Sequence, residues 1–263
     1  LELAQYYQTS EKQKFLIDLL AFDQSFHSQL VDEKIIKTAD DVCEHIFTGS
    51  AVSCYPPQKM TSSEIDWLWN PVNDREWPWS LNRHISWVVL GKAYRQTKNE
   101  KYAREFNDEV ISWVHNAVVP LKSMGASTMT WRTIEAGIRI GQTWFPAYFY
   151  FLPSPSFTIE TRILFFKSVL EHARFLRQFP SGGNWLTMEL NGLAHAAILL
   201  PEFKEAGEWR DYVFTRLAKE LTAQVYPDGA QKELTMSYHN VALRNMLIPV
   251  RLAKLNNVIL PET

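Results

Sequence analysis

Polar side chains that could do chemistry are concentrated in three short segments, 81–84, 181–189 and 226–239. Each lies where a predicted helix begins or ends. The glycine pair at 182–183 stands just before a helix, where it lets the backbone turn sharply and come close to a ligand. Asn184 follows at once, and its amide could either cap that helix or face a ligand, with spacing alone favouring the cap.

The third segment contains a tight turn at Pro-Asp-Gly 227–229, followed by Tyr238 and His239 at the start of the next helix. These two side chains could serve a site, or they could be a packed phenol beside a surface imidazole. The seven histidines include no pair at ligand spacing with a nearby carboxylate, so we predict no metal centre. Motifs for phosphate loops, dinucleotide binding, zinc proteolysis and α/β-hydrolase catalysis do not occur in the sequence.

A loop at about 48–82 contains four tryptophans within thirteen residues, among them Trp67 and Trp69. A loop of this length in a compact domain is usually functional or disordered, and its aromatic content argues against disorder. The indoles could fill gaps between helix ends, or they could form a platform on which sugar rings stack. The sequence leaves both interpretations open.

Apolar residues spaced by three and four positions predict helices through most of the chain, including segments 31–47, 83–96, 132–150 and 185–200. Three further helical faces are predicted, with the following apolar members: Tyr102, Phe106, Val110, Trp113, Val114 and Ala117; Ile163, Phe166, Leu170 and Ala173; Trp209, Val213, Leu217, Leu221 and Val225. Prolines fall mainly between these segments, and strands are expected to be minor. The fold class is therefore all-α, built from antiparallel helical hairpins.

Composition narrows the class of function. The chain has 263 residues with 27 basic and 29 acidic side chains, a net charge of -2, so a nucleic-acid partner is not expected. No apolar run is long enough to span a membrane. Cys43 and Cys54 are too few for a disulfide scaffold, and they could form one local bridge or remain free thiols.

Five separated segments together resemble the heparinase II/III family of polysaccharide lyases, and the heparinase III branch most of all. They are 66–79, 81–84, 131–139, 183–185 and 227–239, and they occur in the family's order. The similarity runs from about residue 60 to the end of the chain. Each segment alone is a weak signal, whereas their order is specific.

The resemblance implies that residues 1–263 form an incomplete (α/α) toroid, followed in the family by a β-sandwich domain that this chain is too short to hold. It implies β-elimination on an acidic, heparan sulfate-like polysaccharide without a cofactor, by a periplasmic or secreted enzyme. In that reaction the C5 proton of a uronic acid is removed, the C4–O bond breaks and an unsaturated sugar remains. A donor must hold the uronate carboxylate, a base must reach C5 and an acid must protonate the leaving oxygen.

The family's catalytic asparagine and tyrosine match Asn184 and Tyr238, while its catalytic histidine comes from the β-sandwich. Some relatives carry histidine beside the asparagine, where this sequence has Trp185. A further six side chains are candidates for substrate binding: Arg83, His84, Trp67, Trp69, Glu233 and His239. For Arg83 the alternative is a salt bridge at the start of a helix.

Two other functions remain open at this point. An (α/α)-toroid glycoside hydrolase would need a pair of carboxyl groups across a cleft, and four residues are candidates for that pair: Asp66, Glu135, Asp228 and Glu233. A non-catalytic glycan-binding module would need none of this chemistry.

Overall fold

The computed structural model of the chain describes residues 32–49 and 54–260. Three parts of the predicted domain lie outside the described residues: 1–31, 261–263, and 50–53 of its tryptophan-rich loop. The helices are α1 (Glu33–Cys43), α2 (Glu76–Leu81), α3 (Ile85–Thr97), α4 (Lys101–Asn116), α5 (Thr133–Ile138), α6 (Trp144–Phe151), α7 (Ile159–Gln178), α8 (Gly183–Leu199), α9 (Ala206–Gln224) and α10 (Met236–Leu255). The predicted all-α class is thereby confirmed, and the helices form an incomplete (α/α) toroid.

The predicted face of α4 is buried as expected. Tyr102, Phe106, Val110 and Trp113 recur every three or four residues, so they lie on one side of the helix and enter the core together. This regular spacing is why the sequence alone identifies both the helix and its buried side.

In α7 and α9 the helices were predicted correctly, but part of each buried face was wrong. Ile163 is 50% exposed, and Phe165 and Val169 occupy the core instead. The run Ile-Leu-Phe-Phe offers two overlapping apolar stripes, so periodicity could not choose between them. In α9, Leu221 is 53% exposed, because polar residues of the same turn are the buried ones.

The segment 132–150, predicted as one helix, is interrupted. A π-helical turn at Arg139–Thr143 separates α5 from α6. Pro146 stands in the first turn of α6 and has no N–H to donate to the carbonyl of Gln142, which a continuous α-helix would require. The hydroxyl of Thr143 donates to the carbonyl of Arg83 at 2.9 Å, directly after the tryptophan-rich loop, and lies 3.1 Å from the carbonyl of Arg139 at the start of the turn.

The tryptophan-rich loop contains more structure than the sequence indicated. Strands β1 (Ile46–Phe47) and β2 (Gln58–Lys59) pair antiparallel, and α2 ends the loop. Asn82 fixes it to the core: its amide donates to the carbonyl of Trp67 at 2.7 Å and accepts from the indole of Trp113 at 2.8 Å. The loop is therefore a packed part of the fold.

Helix α8 is the centre of the described structure, packed against α5, α7, α9 and α10. Its crossing with α5 depends on two glycines. A Cβ at Gly192 would lie 2.7 Å from the carbonyl oxygen of Gly137 and 2.9 Å from its Cα, well inside contact distance. The backbones touch there, and no side chain fits between them.

Two further expectations concern membrane-spanning helices and the two cysteines. None of the described helices has both the length and the apolar character needed to cross a membrane. Cys43 and Cys54 are both free thiols.

The glycine crossing gives a test of the fold. We expect Gly192→Ala to lower the free energy of unfolding by at least about 1–3 kcal/mol, because the backbone of α5 must move to admit the methyl group. Urea unfolding of the protein measures it. Gly207→Ala is the matched control: its new Cβ meets only Arg210 at 3.8 Å, so this helix should gain up to about 1 kcal/mol. An equal stability of both variants would contradict the close-approach argument.

Candidate functional site

Asn184 begins the site and is not the helix cap that spacing favoured. The cap of α8 is Gly182, and Gly183 turns the chain with a φ of +60°, so that Asn184 is the second residue of the helix. Its side chain is 6% exposed. The amide oxygen accepts from the hydroxyl of Thr187 at 3.3 Å, whereas the amide nitrogen has no hydrogen-bond partner among the described residues.

A buried amide donor without a partner is uncommon, because its desolvation is not compensated. The hydroxyl of Thr187 donates to the backbone carbonyl of Asn184 at 2.7 Å and lies 3.3 Å from its amide oxygen, so the amide nitrogen is the side-chain atom of Asn184 that has no partner among the described residues. An anion or a carboxylate would satisfy it. The geometry thus favours the ligand-facing alternative.

Tyr238 lies in the first turn of α10, whose start is capped by Thr235: the hydroxyl of Thr235 accepts from the backbone N–H of Tyr238 at 3.2 Å. The phenol is 50% exposed. It is therefore a group that solvent or a ligand reaches, on a backbone that the cap holds in place.

The two helices place Asn184 and Tyr238 at the same end of the fold. The amide of Asn191 in α8 donates to the side chain of Asn245 in α10 at 3.0 Å. These two residues follow Asn184 and Tyr238 by seven positions each, which is nearly two helical turns and returns to the same face.

Both helices also start from one region. Gln224, at the end of α9, donates from its side chain to the carbonyl of Gly183 at 2.9 Å. The chain then reverses through the bridge between Val225 and Gln231 and enters α10 five residues later. Helices α8 and α10 therefore run in the same direction, and their first turns lie at the same end of the fold.

Trp185 belongs to the candidate site, although no binding role was predicted for it from the sequence. Its indole is 40% exposed beside Asn184, and the guanidinium of Arg132 lies 5.0 Å from its ring centroid. Arg132 is itself fixed, 3.5 Å over the ring of Trp79 and bonded twice to Glu135 at 2.6 Å. The sequence signal was available, since Trp185 directly follows the catalytic asparagine candidate.

Arg83 lies in an ion-pair network. Its guanidinium bonds Glu135 at 2.9 Å and Glu76 at 3.3 Å, which is the helix-start salt bridge kept as an alternative. His84 requires a correction: it is completely buried, stacks on Trp87 at 4.1 Å and accepts from the indole of Trp144 at 2.9 Å. Burial holds its pKa well below the usual value, so it is a neutral part of the core and does not line a surface.

The two candidate tryptophans of the loop, Trp67 and Trp69, differ in burial. Trp67 is buried and donates to the hydroxyl of Ser112 at 3.1 Å, so it fills the core and offers no face to a sugar. Trp69 is half-buried and lies edge-on to Trp77 at 6.0 Å. This placement fits the gap-filling interpretation. Glu233 is exposed and His239 partly exposed, in the same segment as Tyr238.

The carboxyl groups considered for hydrolysis are engaged locally. Asp66 accepts from the backbone of Leu68 at 2.9 Å, and Asp228 from that of Ala230 at 3.0 Å. Glu135 is buried under two guanidinium groups. Within 32–49 and 54–260, no group of histidine, cysteine, aspartate and glutamate side chains is arranged to hold a metal ion.

Comparisons with known proteins identify relatives and solved structures that this chain resembles. A heparin-sulfate lyase from Bacteroides stercoris is 34% identical over 223 residues, which cover 79% of this chain and 33% of that protein. The crystal structure of the heparan sulfate lyase HepC from Pedobacter heparinus matches with a TM-score of 0.75 and 30% identity, over 87% of this chain and 35% of that one. A crystal structure of heparinase III matches with a TM-score of 0.84 and 25% identity, over 99% and 40%.

The chain thus spans about a third of the curated relative and about 40% of the solved heparinase III chain. A model of the family described as Heparinase II/III N-terminus matches residues 1–260. With a match over nearly its whole length, and with its helices superposing on those of heparinase III, this chain belongs to the heparinase II/III family.

Proposed function

We propose that this chain is the helical part of a polysaccharide lyase that cleaves a heparan sulfate-like glycosaminoglycan by β-elimination at a uronic acid. The names of its relatives support this substrate class. Such a polymer is extracellular, so we further propose a periplasmic or secreted location. The catalytic partner is a β-sandwich domain of the complete protein, as the family resemblance implies.

The observation that carries the proposal is the amide nitrogen of Asn184, which has no hydrogen-bond partner in the part of the chain that the structure describes. Removing the C5 proton sends negative charge into the uronate carboxylate, and a fixed donor aimed at that group stabilises the charge as it develops. The amide is already buried in the first turn of α8, so most of its desolvation is complete before a substrate binds. A low-dielectric setting strengthens the same interaction.

Tyr238 supplies the mobile proton in this proposal. A phenol can donate a proton to the glycosidic oxygen as the C4–O bond breaks, and as a phenolate it can take one from C5. The phenol is exposed at the end of the fold where Asn184 lies, and in this proposal one sugar unit contacts both groups. Trp185, half-open beside them, offers a flat apolar face for an adjacent ring.

Product analysis of the complete protein tests the reaction. It is incubated with heparan sulfate, heparin, hyaluronan and alginate while ultraviolet absorbance from unsaturated uronate is followed. We expect absorbance with heparan sulfate. Chain cleavage without absorbance would instead indicate a glycoside hydrolase, and binding without cleavage would indicate a glycan-binding module.

For Asn184→Ala we expect kcat/KM on heparan sulfate to fall by about 100- to 1,000-fold, the usual loss for one donor to a developing oxyanion. The control is Asn116→Ala, an exposed amide at the end of α4 that bonds only its own helix. It should stay within twofold of the wild type. Equal activity of the two variants would remove Asn184 from the mechanism.

For Tyr238→Phe we expect a fall in kcat of about 100- to 10,000-fold with the fold intact, because only the transferable proton is lost. Tyr212→Phe is the matched control, since this tyrosine of α9 packs under Arg177, 4.1 Å from its guanidinium, away from α10. Retention of half the activity or more by Tyr238→Phe would exclude the phenol as acid or base.

A further inference from the structure

Helix α9 buries a chain of polar side chains where its apolar stripe was predicted to continue. Arg216 donates to Glu220 at 2.9 Å, and Gln224 donates to the other oxygen of Glu220 at 2.6 Å. Glu220 and Gln224 are buried, whereas Leu221 of the same turn is exposed. Burying an amide and a carboxylate costs more free energy than burying a leucine at the same position. This cost has to be compensated by the hydrogen bonds that the two groups make.

Gln224 touches both segments that carry the proposed catalytic groups. Its side-chain nitrogen donates to the carbonyl of Gly183 at 2.9 Å, directly before Asn184. Its own carbonyl accepts from the backbone of Lys232 at 2.8 Å, in the turn that leads to Tyr238. One residue therefore joins the start of α8 to the approach of α10.

The bond to Gly183 acts at the first residue of α8, where two glycines form the turn into the helix. Gly182 and Gly183 have no side chains, and Gly183 has a left-handed φ, so local sterics do not define the direction in which Asn184 leaves the turn. The carbonyl of Gly183 is held from outside by Gln224, which is in turn held by Glu220. The start of α8, which carries Asn184, is thereby held from outside the helix.

We infer that Gln224 is a positioning residue for the elimination, which sets the placement of the Asn184 amide relative to the Tyr238 phenol. The inference rests on the proposed function, because it needs a reaction that uses both groups. Gln224 is assigned no contact with the substrate and acts through the backbone of Gly183. A misplacement of about 1 Å between groups that act together costs a reaction roughly 100-fold in rate.

The main test is Gln224→Met in the complete protein, which keeps length and burial but removes the amide. The backbone bond to Lys232 is kept. We expect kcat on heparan sulfate to fall about 10- to 100-fold with KM changed less than threefold, since alignment is lost and binding is not. Val213→Ala, a completely buried change in the same helix, controls for loss of stability and should leave kcat unchanged.

A double-mutant cycle separates positioning from a general structural effect. If Gln224 acts through Asn184, adding Gln224→Met to Asn184→Ala should cause no further loss of kcat. A wild-type kcat in folded Gln224→Met, or fully additive losses in the cycle, would overturn the inference alone. If the wild-type protein forms no unsaturated product, the proposed function fails and this inference fails with it.

Discussion

The rest of the structure depends on one buried cation. The guanidinium of Arg139 is completely enclosed, donating to the carbonyl of Asn82 at 2.9 Å and to the imidazole of His172 at 2.7 Å, with the ring of Trp113 4.6 Å from it. Burial lowers its pKa to about 9, so it is still charged at neutral pH. Burial also holds the pKa of His172 well below its usual value, and the neutral ring is what allows one nitrogen to accept from Arg139.

A buried cation restricts the positions of its hydrogen-bond acceptors, because the loss of any acceptor would leave part of its charge uncompensated. Arg139 therefore ties the loop at Asn82, helix α7 and the π-helical turn to one another. The same short stretch of chain contains Arg132 and Glu135, whose ion pair lies beside Trp185. It also contains Gly137, where the backbone of α5 touches α8. The buried cation Arg139 and the guanidinium of Arg132 beside Trp185 thus belong to one stretch of chain, which connects the core to the candidate site.

Much of this fold could be predicted because its helices are regular. The stripe from Tyr102 to Trp113 repeats every three or four residues, and the glycines before Asn184 and the turn before Tyr238 are local signals. The faces of α7 and α9 could not be predicted with the same success. Ile163 and Leu221 are as apolar as their buried neighbours, so residue type could not show that they would be exposed. In α9 the buried side of the turn is occupied by Gln224, which bonds Gly183 of another helix.

The sequence by itself determined the helical class, the position of the tryptophan-rich loop and the candidates Asn184 and Tyr238, because these follow from local spacing and from motif order. Only the tertiary structure decided which of the candidate polar groups are buried, paired or left without a partner. It buried His84 and Trp67, paired Arg83 with carboxylates and left the amide nitrogen of Asn184 without a partner among residues 32–49 and 54–260. The physical reason is that exposure and hydrogen-bond satisfaction depend on neighbours distant in sequence, which residue type and spacing do not encode.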